Sequence, residues 1–349
     1  ELPAMVNYAR VLAAAQRIRG SIYRTPVLTS ELVDLASGVQ CHFKAEHLQR
    51  TGSFKMRGAS NAVLSLPSDQ ARHGFVAHSA GNHGAALAAA AQGRGVPCTI
   101  VVPRDTPAAK VQNITRYGAA VVLCEPTQQA RVQTAEAEAA RMGGAHIVPP
   151  YDDPAVIAGQ GTVAIELLED LPQLDAILVP VSGGGMLSGI AVAARALKPS
   201  IRVIAVEPAG KGLGRAMAEG VRVRDEAAAN RLLPTIADAI RTVALGPQCW
   251  ELACEHVEPR VLSVSDAMLR AALRISLVEM KQAVEPAGAI ALAALLSPAW
   301  RQLAAQAEAQ GAPLRSVAAI SCGGNVDIGQ LARYCAEGVS ATLESHGSN

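Results

Sequence analysis

The chain has 349 residues, half of them hydrophobic, with 31 basic and 30 acidic side chains and a formal net charge of +1. That length suits two lobes or one large α/β domain. Near-neutral charge without a basic run excludes a nucleic-acid or other polyanion partner, and no apolar stretch reaches the ~18 residues that a membrane-spanning helix needs.

Short β-branched runs alternate with alanine-rich helical stretches. Strands are predicted at residues 75–79, 99–102, 120–124, 146–148, 176–181, 203–206, 261–264 and 317–321. Continuous apolar strands separated by helices imply an α/β fold with mostly parallel sheets buried on both faces. Aromatic residues are only 3% of the chain, so the core is built from Ala, Val, Leu and Ile. Thr106-Pro107 reads as the N-cap and first-turn proline of a helix that stops at Tyr117-Gly118. Pro154 opens another that ends near Asp170-Leu171-Pro172. The first four strands are closely and regularly spaced, which predicts a small lobe at residues 68–151 inserted in a larger one made of residues 1–67 and 152–349. The opening residues show no signal-peptide pattern. The seven cysteines are scattered, without CxxC pairs or zinc spacing, which reads as a reduced, cytoplasmic protein.

Four clusters carry candidate chemistry. Lys55 lies in Thr51-Gly52-Ser53-Phe54-Lys55 and is either a surface lysine or an amine that burial turns into a nucleophile. Three more clusters follow strands, at the carboxyl ends where open parallel sheets bind ligands. Ser79-Ala80-Gly81-Asn82-His83-Gly84 is either an ordinary N-cap or a nest of N–H groups for a carboxylate, with His83 as a base or a hydrogen-bonded structural residue. Ser182-Gly183-Gly184-Gly185-Met186 reads as a phosphate cradle at a helix start or as a tight turn. No P-loop lysine follows, and Ser188 stands where a dinucleotide fingerprint needs its third glycine, so a monophosphate fits better than a nucleotide. Finally, Cys322-Gly323-Gly324-Asn325 is either a buried turn or an uncharged partner for a ring nitrogen.

In order and spacing these clusters resemble the fold-type-II pyridoxal-phosphate enzymes, which are two-lobed and tryptophan-synthase-β-like. Within that family the chain is most similar to the serine/threonine dehydratase and serine racemase group. The resemblance extends to residues 155–162, Thr235-Ile236-Ala237-Asp238 and Glu285-Pro286-Ala287-Gly288. It implies that Lys55 forms the Schiff base with the cofactor, beside Phe54, and that Asn82 meets the phenolic oxygen. Ser182, Gly183, Gly184, Gly185 and Met186 would hold the phosphate, and Cys322 would face the ring nitrogen. Ser79, Ala80, Gly81 and His83 would surround the substrate carboxylate. The implied reaction removes the α-proton and then the β-hydroxyl of an L-serine- or L-threonine-type substrate, giving a 2-oxo acid and ammonia in a homodimeric enzyme.

The sequence departs from the family at several positions. Racemases carry a serine proton donor where this chain has Ala80, which favours elimination. Ala239 replaces the usual glycine after Ala237-Asp238. Arg131 and Thr242 match positions that touch a dicarboxylate in racemase-like relatives, which keeps β-hydroxyaspartate open beside phenylserine and racemisation. Such relatives bind a divalent ion through two carboxylates. Glu207 matches the first, but Leu213 takes the second place, so a metal is not expected here.

Overall fold

A computed structural model of the chain describes residues 5–79, 81–223 and 232–344. The described residues form ten strands: β1 Val27–Thr29, β2 Gln40–Lys44, β3 Phe75–Ala77, β4 Cys98–Pro103, β5 Ala120–Cys124, β6 His146–Ile147, β7 Ala176–Pro180, β8 Arg202–Pro208, β9 Leu262–Val264 and β10 Ser316–Ile320. They make a six-stranded sheet of order β1-β2-β10-β7-β8-β9 and a four-stranded sheet of order β5-β4-β3-β6. Every pairing is parallel except β1 with β2. All eight expected strands form, within two residues at either end. The two that sequence missed, β1 and β2, lack an apolar run: β2 reads Gln-Cys-His-Phe-Lys.

Strands β3, β4, β7 and β10 are buried along their whole length, as helices on both faces require. Helix punctuation is partly as expected. Asp153 caps helix Pro154–Asp170, its Oδ1 accepting from Ala155 N and Val156 N at 2.9 Å each. The helix expected to begin at Pro107 begins one residue later, at Ala108. Pro107 is itself the N-cap, because its carbonyl accepts the first helical bonds, from Lys110 N at 2.9 Å and Val111 N at 3.3 Å.

Three helices, Lys55–Ser65, Pro154–Asp170 and Gly185–Leu197, stack with their backbones in contact. A Cβ on Gly159 would stand 2.7 Å from both the Arg57 carbonyl oxygen and Gly58 Cα, and one on Gly161 would stand 2.6 Å from the Gly189 carbonyl oxygen. The middle helix therefore fixes the helix that begins with Lys55 against the helix that begins at the glycine loop. A buried ion network locks the first pair. Arg57, fully buried, donates to both oxygens of Glu46 at 2.7 and 2.8 Å and to both oxygens of Glu166 at 2.7 and 2.9 Å. Lys44 adds a further bond to Glu166 at 2.7 Å.

Candidate active site

The turns after β7 and β10 lie side by side because these strands are neighbours in the larger sheet. The Lys55 loop is stitched to the β10 turn. Ser53 and Gly323 form an antiparallel bridge, Phe54 N donates to Cys322 O at 3.1 Å, and Gly324 N donates to Gly52 O at 2.9 Å. Lys55, first residue of its helix and half-buried, donates from Nζ to Pro150 O. The Phe54 ring lies 5.1 Å from the amine. Burial lowers the Lys55 pKa to about 8, and the acidic groups of Cys249, Cys322 and Glu285 restore only part of it. A lysine that loses its proton this readily can act as a nucleophile and as a base.

Residues 182–186 form a glycine turn from β7 into a helix. Gly184 adopts φ +103°, a conformation that only glycine takes readily, and the helix starts at Gly185. Gly183 lies against the Tyr151 ring, and a Cβ on Gly185 would stand 2.7 Å from the Tyr151 carbonyl oxygen. Among the described residues none of the backbone N–H groups from Ser182 to Leu187 has an acceptor. Unpaired N–H groups at a helix start fit a phosphate. The Met186 side chain belongs to the core, 5% exposed, so it offers only its backbone.

At the start of helix Asn82–Arg94 the N-cap is Gly81 and no side chain caps it. Ser79 and Asn82 are therefore not caps, which leaves the first-turn N–H groups open to an anion. Ala80 lies outside the described residues. His83 is buried, and its Nε2 is 2.9 Å from Val148 O, so Nε2 carries the proton and Nδ1 is left as an acceptor with no partner among the described residues. Burial drives the His83 pKa to about 3, helped by the Lys55 charge. The ring is neutral and offers no charge to a carboxylate.

Between the two lobes runs a chain of amides and one acid. Asn325 Nδ2 donates to Thr51 O and to Asn82 Oδ1, both at 2.8 Å, and Asn82 Nδ2 donates to Glu285 Oε1 at 2.8 Å. Burial raises the Glu285 pKa to about 8, with Asp238 adding to the shift, so it is mostly protonated at neutral pH. Asn82 keeps one N–H free of any partner among the described residues. The Cys322 thiol is 3.2 Å from Ala287 O, and burial raises its pKa far above that of an ordinary thiol. It is a neutral group, as a partner for an unprotonated ring nitrogen has to be. Sequence reasoning met Glu285 only as part of a motif and missed the linking roles of Asn325 and Tyr151. A glutamate just before Pro286 reads locally as a helix start and nothing more.

The two residues matched to a dicarboxylate site are less defined. Arg131, in helix Gln128–Arg141, is half-buried, with Nε buried and unpartnered among the described residues. Its charge acts on His78, next to Ser79, and lowers that ring's pKa after the larger effect of burial. The Thr242 carbonyl accepts from Lys211 Nζ. For a divalent ion the residues do not fit. Glu207 is committed to Leu213 N at 2.8 Å and Ser263 Oγ at 3.2 Å, and the ammonium of Lys211 lies nearby. Among the described residues no three His, Cys, Asp or Glu side chains are grouped to hold a metal.

A lysine of lowered pKa, a glycine loop with unpaired N–H groups and a neutral thiol are groups that fit a pyridoxal-phosphate cofactor. The chain belongs to the family "Pyridoxal-phosphate dependent enzyme", whose profile matches residues 18–323. Its relatives place it in the fold-type-II serine racemase and dehydratase group of that family. It is 42% identical over 327 residues to a serine racemase of Arabidopsis thaliana, covering 91% of this chain and 92% of that one. It is 43% identical over 327 residues to an L-threo-3-hydroxyaspartate ammonia-lyase of a Pseudomonas species, covering 93% and 97%. The crystal structure of a pyridoxal 5'-phosphate-dependent aspartate racemase superposes with a TM-score of 0.88 at 39% identity, over 95% of this chain and 99% of the other.

Proposed function

We propose that the protein is a pyridoxal-phosphate-dependent ammonia-lyase that converts a β-hydroxy-α-amino acid to a 2-oxo acid and ammonia. The observation that carries this reading is the lowered pKa of Lys55, about 8, in a cleft where the buried imidazole is held neutral and residue 80 is an alanine. One amine is then left to move a proton at the substrate α-carbon. Elimination needs one such group, and two-base racemisation needs a second on the opposite face.

In this reading Lys55 would hold the cofactor through its amine, and the same amine would take the α-proton of the substrate. The N–H groups of Ser182, Gly183, Gly184, Gly185 and Met186 hold the phosphate. Phe54 would flank the ring, Asn82 would donate to its phenolic oxygen, and neutral Cys322 would face its nitrogen. The bound cofactor supplies a conjugated system that delocalises the negative charge left at the α-carbon. The helix start at Ser79, Gly81 and His83 orients the substrate carboxylate, with Thr242 assigned to the same substrate. The Cα–H and Cβ–O bonds break, and water replaces nitrogen at Cα, so substrate atoms are conserved as 2-oxo acid plus ammonia. A homodimer in a reduced cytoplasm, with lobes at residues 1–67 plus 152–349 and at 68–151, belongs to the same proposal. Light scattering tests the dimer.

A second reading narrows the substrate. The half-buried Arg131, with Nε lacking an acceptor among the described residues, suits a second carboxylate, which favours β-hydroxyaspartate over phenylserine. The test is a panel of β-hydroxy amino acids assayed for 2-oxo acid, ammonia and chirality. Arg131→Ala is expected to raise KM for hydroxyaspartate by about tenfold or more, in line with loss of a charged hydrogen bond, and to leave L-serine turnover nearly unchanged. Appreciable D-serine from L-serine would replace the lyase reading with racemisation.

A further inference from the structure

At the glycine loop three backbone carbonyls converge on one point. They come from Ser182, Thr242 and Val243, with the Glu207 carboxylate close enough to act on a charge placed there. Carbonyl oxygens from separate segments with a carboxylate nearby are the donor set of a hard cation. The point is filled by Lys211 Nζ, on a side chain only 3% exposed. The ammonium donates to Ser182 O at 2.9 Å, to Val243 O at 3.0 Å and to Thr242 O, which uses all three of its protons. Gly210 and Gly212, at φ +88° and +77°, flank the lysine and let the chain double back to turn it inward.

We propose that Lys211 is a built-in cation that takes the place of a divalent metal ion and holds the glycine loop in its phosphate-binding shape. The argument is one of peptide geometry. No peptide bond among the described residues is cis, and in a trans peptide the C=O and the next N–H point in opposite directions. Pinning Ser182 O on Lys211 therefore turns Gly183 N–H away from the lysine. The next peptide is pinned likewise, because Gly246 N donates to Gly183 O at 3.0 Å, which turns Gly184 N–H away from Gly246. The lysine positions donors; burial lowers its pKa to about 8, with Glu207 opposing the shift, so the amine is mostly charged at neutral pH and then makes a divalent ion at the same oxygens electrostatically unfavourable.

The test reads cofactor affinity, which does not depend on which amino acid is the substrate, so it can fail without the lyase reading failing. Holoenzyme dialysed against EDTA, or supplied with magnesium, manganese or calcium, is expected to keep its cofactor content and turnover within about twofold, below 0.5 kcal/mol. Loss of activity in EDTA with recovery on adding a metal overturns the proposal. Lys211→Ala, its fold checked by circular dichroism, is expected to bind pyridoxal phosphate about tenfold or more weakly in a fluorescence titration of the apoenzyme. Ammonium or methylammonium should restore that affinity and the bulky tetramethylammonium should not. Unchanged affinity, or weak affinity that no small cation restores, counts against a cation role. If the alanine variant does not fold, Lys211→Arg takes its place in the titration, and the EDTA and metal experiments on the wild-type enzyme still decide.

Discussion

Lys55 illustrates how a residue of ordinary sequence context becomes reactive through its surroundings. An exposed lysine amine titrates near 10.4. Here burial brings it to about 8. Only the neutral amine attacks a carbonyl, so covalent capture of pyridoxal phosphate by the apoenzyme should accelerate with rising pH and level off above about 8. Stopped-flow absorbance across pH 6–11 measures this, with Lys55→Ala as the blank. A rate that keeps climbing past pH 10 would mean that the amine is not desolvated in solution. Glu285 shows the converse. Its burial keeps a proton on a carboxyl group, so the acid sits beside Asn82 as a mostly neutral partner.

At the scale of elements, helix Pro154–Asp170 is the piece on which the site is assembled, since it touches both the Lys55 helix and the glycine-loop helix. Gly159→Ala would press a methyl group onto Arg57 O and Gly58 Cα, and backbone cannot swing aside as a flexible side chain can. We expect a loss of about 1–3 kcal/mol in chemical denaturation, the usual cost of overpacking, together with weaker cofactor binding. The Arg57 network is a second support. Arg57→Leu removes the cation between Glu46 and Glu166 and leaves buried carboxylates without it, for which a loss of roughly 3–5 kcal/mol is expected. Urea unfolding followed by circular dichroism measures both. A change below about 1 kcal/mol for Arg57→Leu would mean that the glutamates find protons or water at little cost.

At the scale of the whole molecule, contacts between segments far apart in the chain decide how the lobes meet. The surface pair Lys110–Asp238, at 2.6 Å, has side chains 43% and 51% exposed. Such a pair contributes about 0–1 kcal/mol and does not by itself lock the cleft. His83 matters more, because it ties helix Asn82–Arg94 to Val148, just before the Pro150 carbonyl that receives Lys55. Its folded pKa of about 3 lies below the 6.5 of an ordinary imidazole, so between these values the unfolded chain binds the extra proton. The stability contributed by the neutral ring is present above pH 6.5 and is lost as pH falls toward 3. Acid titration by circular dichroism should show a shallower decline across that window in His83→Gln than in the wild-type protein. Identical slopes would remove His83 from the acid response.

Local chemistry made much of this protein legible without coordinates. Apolar runs set the parallel strands, glycines and prolines set their ends, and the four clusters fell at strand ends or at a helix start, because period and turn preference are properties of neighbouring residues. The sequence by itself determined the α/β class and the cofactor, and it singled out Lys55 and residues 182–186 as the candidates to hold that cofactor. It could not reveal what depends on residues brought together from afar. Asn82 meets Glu285 across 203 positions and Lys55 meets Pro150 across 95. Only the tertiary structure decided that Glu285 keeps its proton, that His83 is neutral, and that a lysine which reads as an ordinary turn residue fills a carbonyl pocket at the loop. The physical reason is that charge states follow burial and pairing, which exist only once the chain has folded.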